Sequence, residues 1–466
     1  MDQRRISEAL REATDTKDVV IGDGVIDGVG DVFRRCFGDE AAVVIADENT
    51  LEVAGERAAR QLESGARETL EPFVFPGRPV LHADYENIEK LIEALHGHRA
   101  IPVAVGSGTV NDIVKRAARE CERPYMCVAT AASMDGYTSF GASITKDGFK
   151  QTMECSAPRA VVADLAVLMK APARMTSSGY ADLLAKITAG ADWIVADALE
   201  VEAIKPKERS LVQEPLREAT GRPADLHGGD SSAMEGLIEG LIMSGLAMQA
   251  ASSSRPASGA EHQFSHLWEM EGLGEDDEPP LSHGFKVGLG TVSISALYER
   301  VLARDYENLD VDAAVGAWPS RDQVEQRVRQ ALAGTGVEDD AVRESLAKYV
   351  ESDELGRRLA LLGERWPELR ERLHEQLLAA EQVRKQLEQA RCPTTPAEVG
   401  LSTEHFKTTY RRAQMIRRRY TVLDLTNETA ALDGCVDELF AQGGFWAAAI
   451  ARRPQPPSAS ATPARG

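Results

Sequence analysis

Ile101-Pro-Val-Ala-Val-Gly-Ser-Gly-Thr-Val-Asn-Asp112 reads as a short apolar run, a two-glycine turn and a polar helix start. Glycine lets a backbone approach an anion closely, and the unpaired amides of a helix N-terminus favour negative charge. Gly106, Ser107, Gly108, Thr109 and Val110 are therefore candidate phosphate contacts. The turn does not fit Gly-x-Gly-x-x-Gly, because Asn111 stands at the last position, nor a phosphate loop ending in Gly-Lys-Ser/Thr. Working outward, strand-like runs recur at 19–21, 41–46, 72–76 and 125–129, with helical patterns at 51–62, 85–95 and 111–119. Short apolar strands separated by helices imply a parallel sheet with crossover helices. Asp47, at the end of one strand, is placed to accept hydrogen bonds from an adenosine ribose. The hydroxyl-rich stretch Thr130-Ala-Ala-Ser133-Met-Asp135-Gly-Tyr-Thr-Ser139 follows another, where such sheets bind ligands.

Beyond about residue 170 the strand-like runs vanish. Helical periodicity dominates 177–199, 233–249, 291–304, 321–333 and 339–350, and a charge-laced segment spans 354–391. Pro367 should start or kink a helix there. The expected organisation is an N-terminal α/β dinucleotide-binding domain with a parallel sheet (1–170) and an all-α C-terminal metal-binding domain (171–451). The low-complexity tail (452–466) is expected to be disordered. A net charge of −21 on 466 residues argues against nucleic acid or an anionic membrane as partner, but not against a small anion in a local basic pocket. None of the six cysteines forms Cys-x-x-Cys, so reduced thiols and a cytoplasmic location are expected. There is no signal-peptide pattern, and no run approaches the roughly 18 apolar residues of a membrane span.

Three of the nine histidines, His262, His266 and His283, cluster after Ser258, and a helix would carry the first two on one face. Asp182 sits in Gly179-Tyr-Ala-Asp-Leu-Leu-Ala-Lys186. Asp182 with two of the three histidines supplies the ligands of a catalytic metal with an open position. With no cysteine ligand, zinc, iron, nickel and manganese all remain open.

Five segments together carry a family resemblance: Gly106-Ser-Gly-Thr-Val-Asn-Asp112, Thr130-Ala-Ala-Ser-Met-Asp-Gly136, Gly179–Lys186, Ser258-Gly-Ala-Glu-His-Gln-Phe-Ser-His266 and Ser282-His-Gly-Phe-Lys-Val-Gly288. Over roughly residues 15–305 the chain resembles the bacterial branch of the sn-glycerol-1-phosphate dehydrogenases. That branch lies in the superfamily of iron-dependent alcohol dehydrogenases, glycerol dehydrogenase and 3-dehydroquinate synthase, and Glu-His-x-x-Ser-His marks its phosphate-substrate members. The resemblance implies a dehydroquinate synthase-like fold and one divalent metal (Zn, Fe or Ni) on Asp182, His262 and His283. It implies substrate contacts from His266 and Asp135, with Asp182 near both. Gly106–Val110, Thr130, Ser133 and Ser139 would hold the dinucleotide, with Asp47 on the ribose. A carboxylate there repels a 2′-phosphate, which favours NAD over NADP. The implied reaction is hydride transfer between dihydroxyacetone phosphate and sn-glycerol 1-phosphate, with Lys146, Lys150, Lys186 and Lys286 as candidates for the substrate phosphate. The alternatives are another polyol or sugar phosphate, or a cyclase of the dehydroquinate-synthase kind. A homo-oligomer is compatible with this reading. Three features depart from the family: Ser107 within the glycine turn, the acidic segment 271–280, and about 150 further C-terminal residues.

Overall fold

Ala42-Val-Val-Ile-Ala-Asp47 carries no polar alternation, and such a run belongs in a sheet covered on both faces. The computed structural model describes residues 3–146 and 149–451, so the tail 452–466 lies outside the described residues. It contains β1 (Asp18–Gly22), β2 (Ala42–Asp47), β3 (Thr69–Phe75), β4 (Ile101–Gly106), β5 (Met126–Ala129), β6 (Gly141–Lys146), β7 (Phe149–Glu154) and β8 (Ala160–Asp164). Six strands form a parallel sheet in the order β1-β8-β5-β4-β2-β3, while β6 and β7 pair antiparallel as a hairpin. From Leu165 onward the described chain is helical. An N-terminal parallel sheet thus precedes an all-α remainder.

Alternate strand residues face opposite layers. Val43, Ile45, Ala104, Cys127 and Val161 pack with Ile88, Leu91, Ile113 and Val114. Val44, Val103, Val105, Val128 and Val162 pack with Val29, Val32, Phe33, Ala58 and Leu62. The connection from β2 therefore crosses one face through helix Glu56–Gly65, and the connection from β4 crosses the other through helix Gly108–Glu120. β2 and β4 are neighbours, with Ala42 opposite Ile101 and Ile45 opposite Ala104. From this parallel pair successive strands are added in opposite directions, β3 beyond β2 and β5 beyond β4, so a crevice opens at their carboxyl ends with Asp47 and Gly106 on its two lips.

Several local features differ from the sequence reading. Strand β8 lies between β1 and β5, but the hairpin β6–β7 precedes it, so no helical pattern announces it. The helix after the glycine turn begins at Gly108. The segment 177–199 is two helices, Ala173–Leu184 and Lys186–Ala198, separated at Ala185. Pro367 lies inside helix Ser352–Gln376 and does not start it. All six cysteines are free thiols, and among the described residues no helix is long and apolar enough to cross a membrane.

Candidate active site

Helix Ala173–Leu184 is buried from Thr176 to its end, and its small residues let backbones come close. A Cβ on Gly179 would lie 2.0 Å from the carbonyl oxygen of Ala132, and one on Gly284 would lie 2.0 Å from that of Ser178. Neither position tolerates a side chain without displacement. These approaches press the loop after β5, the helix carrying Asp182 and the helix beginning at His283 into one knot. His262 joins from the first turn of helix Ala260–Met270, whose Ala260 amide donates to Asp192 Oδ2 at 2.7 Å.

The result brings Asp182, His262 and His283 together, with one donor atom from each lying within 4.8 Å of the others. His262 Nε2 stands 3.5 Å from Asp182 Oδ1, close to the roughly 3.4 Å edge of a tetrahedron of ligands at about 2.1 Å from a metal. The Asp182 side chain is 0% exposed, His262 8% and His283 29%, so the trio opens on the His283 side. His266 lies beside it, its ring centroid 6.0 Å from those of both His262 and His283.

Each ligand-type imidazole is oriented by a carboxylate that sequence reasoning missed. His262 Nδ1 lies 2.8 Å from Glu261 Oε1, and His283 Nδ1 lies 2.8 Å from Glu269 Oε1. Metal-binding histidines are characteristically held this way, which leaves Nε2 for the metal. The donor set, two imidazole nitrogens and a carboxylate oxygen, fits a divalent transition metal. Glu261 was legible as the residue before His262, and Glu269 shares the helix face of His262 and His266. Replacing Glu269 with alanine is expected to weaken metal affinity roughly 10- to 100-fold, read as a shift in competition against a chelator. Unchanged affinity would contradict this role.

Lys186, one turn after Asp182, is fully buried, with Nζ 2.7 Å from Asp182 Oδ1 and 2.8 Å from Asp135 Oδ2. Burial acts against its charge, but Asp135 and Asp182 outweigh it and raise its pKa. Burial would likewise neutralise Asp182, yet chiefly Lys186, with His262, holds that carboxyl well below its ordinary range. Asp135 also accepts from Ser244 Oγ at 2.9 Å, and its backbone amide donates to Asp182 Oδ2 at 3.0 Å. Burial, reinforced by Arg417, keeps the His266 pKa well below its usual value and its ring neutral.

At the crevice, Ser107 makes no side-chain cap, so the first amides of helix Gly108–Glu120 are left for another acceptor. A Cβ on Gly106 would lie 2.5 Å from Val110 Cβ, which explains glycine at the strand end. The Thr130 amide donates to the Gly106 carbonyl at 3.1 Å, tying the two strand-end loops together. Ser133 is half-buried, and its carbonyl accepts from Ser178 Oγ at 3.1 Å. The Ser139 hydroxyl turns inward to the Gly136 carbonyl at 3.0 Å, beside buried Lys115. Asp47 Oδ1 accepts from the Thr50 amide at 2.8 Å and so caps the following helix.

The lysines proposed for substrate phosphate are differently engaged. Lys186 is held by the two aspartates, and Lys286 is buried. Lys146 Nζ stands 3.8 Å from the centre of the Tyr85 ring. The Lys150 side chain lies outside the described residues.

A parallel sheet with a ligand crevice, joined to a helical unit carrying an Asp-His-His trio, is the architecture shared by the iron-containing alcohol dehydrogenases. The family pattern described as iron-containing alcohol dehydrogenase matches residues 20–172. Solved structures agree in fold: glycerol dehydrogenase from Schizosaccharomyces pombe superposes with a TM-score of 0.58 at 16% identity, covering 92% of each chain. Maleylacetate reductase from Rhizobium sp. strain MTP-10005 does so with a TM-score of 0.54 at 16% identity, covering 91% of this chain and 96% of that one. Closer relatives narrow the class. The glycerol-1-phosphate dehydrogenase (NAD(P)+) of Bacillus licheniformis is 32% identical over 340 residues, 71% of this chain and 84% of its own length. That of Geobacillus stearothermophilus is 30% identical over 391 residues, 84% of this chain and 87% of its own. The chain belongs to the glycerol-1-phosphate dehydrogenase family, among the iron-containing alcohol dehydrogenases, and is an oxidoreductase.

Proposed function

We propose that the protein interconverts dihydroxyacetone phosphate and sn-glycerol 1-phosphate with NAD(P), using one divalent metal held by Asp182, His262 and His283. The observation that carries this reading is the trio itself, with both imidazoles fixed by carboxylates at Nδ1. A bound metal supplies Lewis acidity at the substrate oxygen, and a bound dinucleotide supplies or accepts the hydride. Lys186 holds Asp182 and Asp135 in place and offsets their charge. Arg417 Nη2 points at His266 Nδ1 from 3.4 Å, which puts the proton of the neutral ring on Nε2. From there the His266 Nε2–H would donate a hydrogen bond to the substrate oxygen and steady the charge on it, while the proton itself would pass through the Asp135 carboxylate. The backbone of Gly106–Val110 would take the pyrophosphate, with Thr130, Ser133 and Ser139 on the adjoining wall. Asp47 would take the ribose, which favours NAD.

The test is oxidation of NADH by dihydroxyacetone phosphate, with chiral analysis of the product. Turnover is expected to yield sn-glycerol 1-phosphate, to stop on chelation and to return with a divalent metal. No turnover of this ketone, alongside turnover of another polyol phosphate, would overturn the substrate assignment. Full turnover after complete metal removal would overturn the metal assignment.

A further inference from the structure

The reaction proposed above needs a cation for the substrate phosphate, and the histidine cluster holds four carboxylates, Asp135, Asp182, Glu261 and Glu269, whose one buried lysine, Lys186, is already taken up by the two aspartates. A dianion brought there unaided would be repelled. The C-terminal segment that passes beside this cluster carries three consecutive arginines, Arg417, Arg418 and Arg419.

That segment is fastened along helix Ala260–Met270. His405 Nε2 lies 2.8 Å from Glu271 Oε2, and Arg412 Nη1 lies 2.5 Å from Glu271 Oε1. The indole of Trp268 donates to Thr409 Oγ1 at 3.0 Å, and Gln263 Nε2 donates to the Arg419 carbonyl at 3.2 Å. At Arg417 the backbone is extended, with φ −147° and ψ 142°, so successive side chains point in opposite directions. Arg418 is exposed and paired with Glu344 at 2.6 Å. Arg419 donates to the Ser258 carbonyl at 2.8 Å and to Ser254 Oγ at 2.5 Å. Arg417 turns toward His266; Glu344 and Glu269 lie near enough to act on its charge, but among the described residues no carboxylate reaches it within ion-pair distance, and its one described hydrogen-bond contact is the 3.4 Å approach to His266 Nδ1.

A half-buried guanidinium with most of its N–H groups uncommitted is costly unless it meets an anion. We infer that Arg417, delivered by the C-terminal extension, binds the phosphate of the substrate and sets the preference for phosphorylated over free polyols. The inference rests on the activity proposed above. The geometry suits a short substrate: the guanidinium is one imidazole ring away from the trio, a span that a three-carbon chain with a terminal phosphate bridges. A planar guanidinium also matches phosphate in a bidentate manner that a lysine does not.

The experiment compares the metal-loaded wild type with Arg417→Ala, Arg417→Lys and the neighbouring control Arg418→Ala, using dihydroxyacetone phosphate and free dihydroxyacetone. Inorganic phosphate binding is followed separately by calorimetry. Arg417→Ala should raise KM for the phosphorylated ketone roughly 10- to 100-fold and weaken phosphate binding similarly, a loss in kcat/KM well beyond whatever it costs the free ketone through His266. Arg417→Lys should recover part of the loss, and Arg418→Ala should show none. Equal losses for both ketones in Arg417→Ala, with phosphate binding intact, would overturn the inference and leave Arg417 with its role at His266 alone. Unchanged KM and phosphate binding would overturn it as well. If Arg417→Ala proves unstable, Arg417→Lys is read by the same ratio of the two ketones. A wild type inactive on dihydroxyacetone phosphate would instead defeat the proposed reaction, and the phosphate calorimetry would still decide the role of Arg417.

Discussion

His262→Ala is expected to lose bound metal and to lower turnover about a thousandfold or more. Two donors, Asp182 and His283, would remain, and two protein ligands are fewer than catalytic sites of this kind use. The change also removes the Nδ1 partner of Glu261, a buried carboxylate still held by Thr188 Oγ1 at 2.8 Å. Burial opposes ionisation of Glu261, and His262 is the main group that lowers its pKa. Some loss of thermal stability should therefore accompany the loss of metal. Elemental analysis of purified protein, with kcat/KM measured on the same preparation, checks both parts. Full metal content in this variant would remove His262 from the ligand set.

His266→Ala should behave differently, keeping the metal while kcat falls roughly 10²- to 10³-fold, the range for a lost hydrogen-bond donor to a charged substrate oxygen. The ring stands next to the trio but outside it, and its Nδ1 faces Arg417 rather than a carboxylate. Its neighbours His262 and His283 have the opposite arrangement, each with Nδ1 on a glutamate. This contrast in ring partners is the basis for proposing two metal-binding histidines and one that meets the substrate oxygen. Loss of metal from His266→Ala would erase the distinction.

The sheet was legible because its strands are short, apolar on both faces and separated by helices. Strand β8 escaped because the hairpin before it breaks the strand–helix alternation. The trio was legible in composition alone: Asp182 and three histidines in a region with no strand pattern. Spacing could not say which two histidines join Asp182. Four residues between His262 and His266 puts them on one helix face, yet the structure groups His262 with His283, which starts the next helix. Glu261 and Glu269 were readable once the helix was drawn. Arg417 was not: it lies 151 residues from His266, in a run of arginines that reads as a solvated surface. Lys186 read as a candidate for the substrate phosphate, because sequence does not show that its helix is buried all round and its charge held by two aspartates.

The most direct test is the metal stoichiometry of His262→Ala and His266→Ala, each purified alongside wild type and reconstituted with the same divalent metal. The expected result is near-stoichiometric metal in wild type and His266→Ala and little in His262→Ala. Metal retained by His262→Ala, or lost from His266→Ala, would contradict the assignment of Asp182, His262 and His283 as the metal site.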